Sequence, residues 1–390
     1  MERFIRWLNN DGCEVILLRA GGVDKVTNQT WGTEIAVRDP LGLHPEEQDV
    51  AAPHTDKEYS PLVTLAASLL FNPDPGILWA RRAARHPLVL EHGQNADFVL
   101  STSPPESAHL CAATLAKKLR TKLMVDMRDG WMDEPLKPSL MTSRLQRFRE
   151  GRLEKKVLSQ ADSIFVTSVV WQELLVERLP CCTGKTVVLT NCYPADFTNP
   201  SVSSNKTPLT ILYAGKLSLS RSTQKASLLL APLLSGINLV EQKGSIEFMG
   251  KMAQEDLEEI AVWTPRFAEA GWRIVVSPAV PMQQAREKIA QASGLLLLCE
   301  AHAALPAKLF EYLAARKPIM SVGPPCSALE RTVVDIPQFF HIDSSAQAES
   351  LDNEKVKSFL DECVMGSVDY LLPEAYSEDY VAKEFLTHVR

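Results

Sequence analysis

The sequence predicts an α/β protein built from two Rossmann-like domains, each a parallel sheet wrapped by helices. Three observations predict this fold. Short apolar segments alternate with periodic helical stretches through the first half of the chain. A polar stretch rich in Ser, Asn and Pro, NPSVSSNKTP, then interrupts the alternation at residues 199–208. The alternation begins again after this stretch, which indicates a second unit of the same class.

In the first half, the opening MERFIRWLNNDG places Phe4, Ile5 and Leu8 on one side before Gly12, which predicts an amphipathic helix. Short apolar runs predict strands, and longer periodic stretches predict the helices between them. The predicted strands are CEVILLRAGG, ADFVLSTS (96–103), KLMVDMRD (122–129), DSIFVTS (162–168) and KTVVLTN (185–191), and the further helices are ESAHLCAATLAKKL, SRLQRFREGRLEKKVLSQ and VVWQELLVERL.

The second half repeats the pattern. Its predicted strands are LTILYAG, GSIEFMG, WRIVVS, GLLLLCE and PIMSVG, and its helices are STQKASLLLAPLLSGI, QEDLEEIAVWTPRFAEAG, MQQAREKIAQAS and LPAKLFEYLAARKP. We therefore predict an N-terminal domain at 1–198, a linker at 199–208, a C-terminal domain at 209–365, and C-terminal helices at 366–390 that pack back on the N-terminal domain. Ligands of such open sheets bind outside the carboxyl ends of the strands.

Composition narrows the function classes. A net charge of −7 over 390 residues argues against a general nucleic-acid binder, so we expect no nucleic-acid partner. Eight cysteines are too few for a disulfide scaffold, and their spacing predicts no metal site. The sequence contains no apolar run of roughly 18 residues and no signal-peptide pattern. We expect a cytoplasmic protein without a cofactor, whose membrane contact, if any, is peripheral.

The stretch LPAKLFEYLAARKP places a cation where a helix disfavours one. Pro306 suits the first helical position, so Lys308 lies in the first turn, where the helix dipole favours anions. Glu311 follows on the same face. Two interpretations of Glu311 stay open: a ligand-binding carboxylate, or an exposed residue paired with Lys308. The position of Lys308 indicates an anionic ligand.

A second loop, YAGKLSLSRSTQK, also indicates an anion site. Gly215 allows a tight turn after the predicted strand, and Lys216, Arg221 and Lys225 follow within ten positions. Cations between the carboxyl end of a strand and a helix N-terminus fit a phosphate. The alternative is a solvated basic loop. A third loop, VVSPAVPMQQ, either presents backbone groups to a ligand or is an ordinary tight turn.

These segments together resemble a known family. ILYAGKL, GLLLLCE and PAKLFEYLAARKPIMSV resemble the donor half of GT-B glycosyltransferases of family 4. In the first half, ADFVLSTSPPESAHLCAATLAKKLRTKLMVDMRDGW, LEKKVLSQADSIFVTS and VVLTNCYPADF resemble the same family. The resemblance covers most of residues 80–330, and its motifs specify the family better than the substrate. It implies a GT-B fold, two facing Rossmann-like domains with an interdomain cleft.

The resemblance also implies residue roles. Lys216, with Arg221 or Lys225 as a second cation, would hold the donor diphosphate. Lys308 matches a phosphate-side position, and Glu311 matches the glutamate that binds the ribose hydroxyls. The donor-binding residues that it implies are Gly215, Lys216, Arg221, Lys225, Lys308, Leu309 and Glu311. The resemblance implies no metal, since GT-B enzymes generally use cations and helix dipoles.

The sequence departs from the family pattern at several positions. Ala303 stands where the family has a first glutamate, and the nearest acid is Glu300. Arg316 and Cys192 replace two common glycines. The chain opens on the first helix, so we expect the strand and Gly-rich loop that precede it in relatives to be missing, either because the true start lies upstream or because this member lacks them.

In the first half, VDMRDGW supplies candidate catalytic residues at the end of a strand: Asp126, Arg128 and Asp129. The acids could orient or deprotonate an acceptor hydroxyl, and Arg128 could hold an anionic group. The alternative is a structural Asp–Arg network that fixes the loop. His109, in TSPPESAH, is better explained by helix packing than by catalysis.

A basic stretch at 136–158 carries seven cations against two acids. Met141, Leu145 and Phe148 lie at helical spacing within it. One interpretation is a helix lying on an anionic membrane near a lipid-linked acceptor. The other is a packed helix with a solvated basic face. WARRAARH (79–86) is a second candidate contact.

The sequence thus leads to a glycosyltransferase that moves a sugar from a nucleotide-sugar donor to a hydroxyl acceptor, a glycan or a lipid-linked intermediate of surface polysaccharide or glycolipid synthesis, with retention by family resemblance. One alternative is a non-catalytic GT-B-shaped protein that binds a nucleotide or a partner. A second alternative is a related sugar epimerase.

Overall fold

The computed structural model describes residues 1–42, 71–133, 144–193, 197, 208–217, 225–299, 303, 305–344, 349–366 and 372–389. These residues form two compact units. The first comprises Met1–Thr190 together with Ala382–Arg390, and the second comprises Asn191–Val381. The domain boundaries predicted from the sequence stay predictions, and the predicted linker lies outside the described residues except for Pro208.

The first unit contains two sheets. A three-stranded sheet has the order β1-β3-β2, in which β1 runs parallel to β3 and β2 runs antiparallel to it. A second, fully parallel sheet has the order β4-β5-β6-β7. The strands are β1 (Val15–Gly21), β2 (Lys25–Gln29), β3 (Gly32–Arg38), β4 (Phe98–Ser103), β5 (Lys122–Met127), β6 (Ser163–Val166) and β7 (Thr186–Val188).

Helices cover these sheets through apolar side chains. Trp79 packs in a cluster with Ile35 and Val37 of β3, and its indole N–H donates to the Val37 carbonyl (3.1 Å). Phe385, near the C-terminus, is fully buried against the rings of Phe4 (4.9 Å) and Phe165 (5.5 Å). The helices are α1 (Glu2–Asn10), α2 (Ile77–Ala83), α3 (Pro87–His92), α4 (Ser107–Leu119), α5 (Arg144–Gln160) and α6 (Val169–Arg178).

The second unit contains a six-stranded parallel sheet of order β10-β9-β8-β11-β12-β13. The order reverses around β8, and a ligand site is expected at the carboxyl ends of strands at such a switch point. The strands are β8 (Leu209–Ala214), β9 (Gly244–Met249), β10 (Arg273–Ser277), β11 (Gly294–Leu298), β12 (Ile319–Gly323) and β13 (Phe339–Asp343).

The core strands β11 and β12 of this unit are mostly apolar, with Ser321 as their one polar side chain, as a parallel sheet covered on both faces favours. Every residue of β11 and of β12 is buried. The helices around them are α7 (Lys225–Ile237), α8 (Gln254–Glu269), α9 (Met282–Gln291), α10 (Lys308–Ala314), α11 (Ser327–Val333) and α12 (Glu349–Met365), and α13 (Glu378–Val389) follows at the end of the chain.

The predicted α/β fold with Rossmann-like parallel sheets is confirmed, and two local predictions were wrong. The prediction missed the hairpin of β2 and β3, whose polar strand KVTNQ lacks the apolar alternation that marks a strand. The helix that opens at Pro306 in the prediction begins at Lys308. Pro306 instead accepts a turn hydrogen bond from the Leu309 N–H (3.0 Å). In the part of the chain that the structure describes, no helix has the length and apolarity to cross a membrane.

Candidate functional site

The carboxyl end of β8 forms a sharply specified turn. The Gly215 N–H donates to the Met249 carbonyl (2.8 Å), and Gly215 takes a φ of +119°, which side chains disfavour. Gly250 approaches so closely that a Cβ there would lie 2.3 Å from the Gly215 oxygen. Lys216 follows on the exposed side. The turn therefore requires both glycines and presents Lys216 to solvent.

Lys308 reaches this turn from α10. Its ammonium Nζ lies 3.3 Å from the Ala214 carbonyl oxygen and 3.7 Å from the centroid of the Tyr213 ring. A cation at that distance from an aromatic face is attracted by the ring quadrupole. A Cβ built on Gly215 would lie 3.6 Å from the same ammonium. The structure thus brings together the two loops that the sequence singled out separately.

Two tyrosines that the sequence analysis did not single out hold this arrangement. The Tyr213 hydroxyl donates to the Lys216 carbonyl (2.8 Å), and the Tyr312 hydroxyl accepts the Ala214 N–H (2.9 Å). Both tyrosines are buried, and burial is the main cause that raises the pKa of Tyr312. The sequence around the two tyrosines does not indicate these contacts, because each contact depends on tertiary packing.

Glu311 lies one turn further along α10 and faces Arg286 of α9. The Arg286 Nε is 3.7 Å from the Glu311 Oε1, with about a quarter of each side chain exposed (29% and 23%). Loss of hydration raises the pKa of the Glu311 carboxyl, and the Arg286 charge opposes that rise. Arg286 is a third residue that sequence reasoning missed, since no local pattern links it to Glu311.

The remaining donor-side predictions divide into two groups. Leu309 is fully buried, and its backbone N–H is engaged by Pro306. Arg221, the Lys225 side chain and Glu300 lie outside the described residues, so their roles stay predictions.

The third predicted loop follows β10, and Ser277 at its start belongs to a polar cluster with Glu247 of β9 and Lys288 of α9. Glu247 accepts hydrogen bonds from the Lys288 ammonium (2.6 Å) and the Ser277 hydroxyl (2.5 Å). Burial acts to raise the pKa of Glu247, but these two donors outweigh it and the pKa is lowered. The cluster ties β9, β10 and α9 together at the strand end.

In the first unit, Asp126 at the end of β5 is buried (1% exposed) and paired in two places with Arg128: Nε–Oδ2 is 2.9 Å and Nη2–Oδ1 is 2.8 Å. Thr102 donates to the same carboxylate (2.7 Å), and Arg128 also donates to the Leu189 carbonyl (3.0 Å). These contacts match the structural Asp–Arg network that was one of the two interpretations.

Asp129 and His109 differ in access. Asp129 is exposed, although partial loss of hydration still raises the pKa of its carboxyl against the opposing Arg128 charge. His109 is fully buried, its Nδ1 lies 2.8 Å from the Ser101 hydroxyl, and burial lowers its pKa to about 4. Of the two acids predicted near the β5 end, Asp129 is exposed and Asp126 is buried.

Helix α5 buries three polar or acidic side chains together with Val157 and Leu158. Its inward face carries Gln146, Glu150 and Glu154, all buried, and Glu154 forms a two-point pair with Arg178 (2.5 and 2.9 Å). Leu145 and Phe148 are 46% and 61% exposed. The exposed residues of the described helix are basic, apolar or neutral: Arg144, Leu145, Arg147, Phe148, Arg152, Lys155, Lys156, Ser159 and Gln160. Lys137 and Met141 of the predicted stretch lie outside the described residues.

Within the described ranges, no group of three or more His, Cys, Asp or Glu side chains is arranged to hold a metal ion.

The family comparison covers the N-terminal half of the chain. Residues 1–192 match the family model described as the Glycosyl transferase 4-like domain. No curated protein matches the chain by sequence.

Solved structures share the fold over most or all of the chain. A glycosyltransferase from Rickettsia africae covers 100% of this chain and 92% of its own, with 11% identity and a TM-score of 0.58. An E. coli structure described as trehalose-6-phosphate bound with UDP-2-fluoro glucose covers 100% and 95%, with 9% identity and a TM-score of 0.59. Anabaena HepE in complex with UDP covers 77% and 80%, with 11% identity and a TM-score of 0.54.

The fold and the family match together define a class. The chain has the GT-B fold, two Rossmann-like units in one polypeptide. Residues 1–192 match the glycosyl transferase 4-like family model, and the chain is a glycosyltransferase. The predicted resemblance to GT-B glycosyltransferases of family 4 is confirmed by the match over residues 1–192 and by the fold.

Proposed function

We propose that this glycosyltransferase moves a sugar from a nucleoside-diphosphate sugar to a hydroxyl acceptor with retention at the anomeric carbon. The observation that carries the proposal is the contact of the Lys308 ammonium with the end of β8, 3.3 Å from the Ala214 oxygen. That contact brings a cation from α10 to the Gly215–Lys216 turn. A diphosphate needs such a convergence of positive charge.

The proposed chemistry uses these groups in order. As the bond between sugar and diphosphate breaks, negative charge grows on the leaving phosphate, and Lys216 and Lys308 stabilise it. Glu311 accepts hydrogen bonds from the ribose hydroxyls, as a carboxylate can. Arg221 and Lys225 are retained as candidate second cations for the diphosphate, and Leu309 as a packing residue of the donor site.

On the acceptor side, we propose that Asp129 orients the acceptor hydroxyl. Asp126 and Arg128 fix the loop that carries it, because the buried pair joins β4, β5 and the residues after β7. The proposed acceptor is a glycan or lipid-linked intermediate of surface polysaccharide or glycolipid synthesis, handled on the cytoplasmic side. Uridine nucleotides are the first donors to test, since Anabaena HepE was solved with UDP.

The test measures release of UDP from UDP-glucose, UDP-galactose and UDP-N-acetylglucosamine, with and without added acceptor extracts. For the best donor, we expect Lys308→Ala to lower kcat by about a hundredfold to a thousandfold, the cost of losing one group that stabilises developing charge. Lys357→Ala is the matched control, because Lys357 is an exposed lysine of the same unit paired with Asp361 (2.7 Å). An unchanged kcat in Lys308→Ala would refute the leaving-group role.

The alternatives give different products. Binding of a nucleotide-sugar, seen as a rise in Tm with ligand concentration, without release of UDP under any condition would favour the non-catalytic protein. Release of free nucleotide and sugar with an altered configuration and no acceptor product would favour an epimerase.

We also propose that the exposed face of α5 contacts an anionic membrane surface, which would bring the enzyme to a lipid-linked acceptor. The observation that supports this proposal is that the helix buries its two acidic side chains and exposes its cations and Phe148. Burial removes Glu150 and Glu154 from the surface, so the cations and Phe148 remain together on the outside. Each exposed cation near an anionic leaflet contributes roughly 1 kcal/mol, and exposed aromatic and aliphatic groups add apolar burial.

Sedimentation with vesicles tests this surface. We expect the protein to bind vesicles that contain phosphatidylglycerol, to bind pure phosphatidylcholine weakly, and to lose binding in Leu145→Ser/Phe148→Ser. Val262→Ser is the control, because Val262 is an apolar residue of the second unit that is 70% exposed on α8. Equal binding by the double variant and the control would remove α5 from the membrane contact.

A further inference from the structure

Tyr213 is the residue that touches both donor-side lysines. Its ring face lies 3.7 Å from the Lys308 ammonium, and its hydroxyl donates to the backbone carbonyl of Lys216 (2.8 Å). The side chain is 2% exposed. A buried, uncharged side chain can therefore influence where both lysines lie.

The ring acts on Lys308. A lysine has four rotatable side-chain bonds, so its ammonium would otherwise sample a wide volume. The aromatic face and the Ala214 carbonyl together favour one location for the ammonium, beside the Gly215 turn. Neither group carries a charge, so these two contacts fix the ammonium without adding a counter-charge.

The hydroxyl acts on the turn. Tyr213 is the last residue but one of β8, and its hydrogen bond spans from the strand to the residue after Gly215. The opposite side of the same turn is held by Gly215 N–H to Met249 and by the close approach of Gly250. The hydroxyl bond therefore closes the turn and sets where the Lys216 side chain leaves the backbone.

We propose that Tyr213 is a positioning residue of the donor site, which places Lys308 through its ring and Lys216 through its hydroxyl. The inference rests on the proposed function, because it assumes that both lysines bind the donor diphosphate. It goes beyond that function in one respect. Tyr213 increases the affinity for the diphosphate, but not for the nucleoside, without itself contacting phosphate or sugar.

Binding of UDP and of uridine distinguishes this role from a structural one. We expect Tyr213→Leu, which removes ring and hydroxyl, to raise the Kd for UDP by about threefold to thirtyfold, the range that loss of a cation–π contact gives. The Kd for uridine should stay within about twofold, since the nucleoside carries no phosphate. Tyr213→Phe keeps the ring, so we expect a smaller increase, below about threefold.

A matched control separates positioning from loss of packing. Phe248 is fully buried on β9, directly opposite Tyr213 in the strand register, with ring centroids 5.9 Å apart. Phe248→Leu removes a similar aromatic volume. It should lower the Tm about as much as Tyr213→Leu while leaving the Kd for UDP unchanged.

The variant pair with Lys308 completes the test. If Tyr213 acts through the ammonium, Tyr213→Leu should add less than about threefold to the Kd for UDP in a Lys308→Met background. An unchanged Kd for UDP in Tyr213→Leu, or an equal loss of UDP and uridine binding, would overturn the inference alone. If the wild-type protein binds none of UDP, GDP and ADP, the proposed function fails first, and this inference fails with it.

Discussion

Replacing Arg286 by glutamine should make donor binding more sensitive to acid. In the structure, burial raises the pKa of Glu311 and the charge of Arg286 opposes that rise. Removing the guanidinium charge therefore raises the pKa of Glu311 further. A protonated carboxyl is a poorer acceptor for ribose hydroxyls than a carboxylate, so the KM for the donor should begin to rise at a higher pH than in the wild type.

The magnitude follows from the separation of 3.7 Å between Nε and Oε1. At an effective dielectric constant of about 20, two unit charges at that distance attract by about 4.5 kcal/mol. Both side chains are partly exposed, 29% and 23%, so solvent screening reduces the useful interaction to about 1–2 kcal/mol. That energy changes the ionisation equilibrium of Glu311 by about fivefold to thirtyfold.

The assay is the KM for the nucleotide-sugar donor as a function of pH between about pH 4 and pH 8, the range in which carboxyl groups of raised pKa titrate. We expect equal KM values for Arg286→Gln and wild type at the alkaline end, where Glu311 is ionised in both. Toward acid, the KM of the variant should rise first. Arg286→Lys keeps a positive charge and should behave like the wild type.

Lys288→Gln is the control for loss of a cation from the same helix, because Lys288 pairs with Glu247 at 2.6 Å. If the KM for the donor begins to rise at the same pH in Arg286→Gln and in the wild type, the coupling between Arg286 and Glu311 is refuted. A KM raised by the same factor at every pH would instead mean that Arg286 contacts the donor directly.

Three further predictions concern stability, each measured by denaturant unfolding. Gly250→Ala should destabilise the fold by roughly 2 kcal/mol or more, because the new Cβ would lie 2.3 Å from the Gly215 carbonyl oxygen in the turn after β8. Gly184→Ala is the control: its φ is +79° but its Cβ would meet open space, so we expect a loss of only about 1 kcal/mol. Arg178→Met should cost about 3 kcal/mol at neutral pH by leaving Glu154 buried without its partner, and less in acid, where Glu154 is protonated. Arg316→Gly should stabilise by up to about 1 kcal/mol, because Arg316 holds a φ of +51°.

Strand and helix patterns in the sequence predicted most elements of the fold. The run GLLLLCE predicted a strand, and β11 forms there with every residue buried. Prediction was wrong where tertiary contacts override local pattern: KVTNQ forms β2 by pairing with β3, although four of its five residues are polar. Burial patterns of long apolar elements can be predicted locally, while short edge strands depend on a neighbour.

The candidate site was predictable only as far as residue type and strand position determine it. Lys308 and Gly215 came from local rules on helix dipoles and turns. Tyr213 and Arg286 did not, because their parts are set by contacts between β8, α9 and α10 that no local pattern encodes. The basic stretch around α5 was recognised, yet the inward direction of Glu150 and Glu154 required the structure.

Arg128 of the first unit and Lys308 of the second are held by different kinds of group. Arg128 is held by a buried carboxylate, Asp126, in a two-point pair that compensates its charge. Lys308 is held by an aromatic face and a carbonyl oxygen, which attract a cation but carry no net charge. A helix dipole disfavours Lys308 by a few tenths of a kcal/mol to about 1 kcal/mol, and a cation–π contact is of the same size or larger. The ring can therefore offset the cost of placing the ammonium in the first turn of α10, which is the position that a diphosphate at the β8 turn would require.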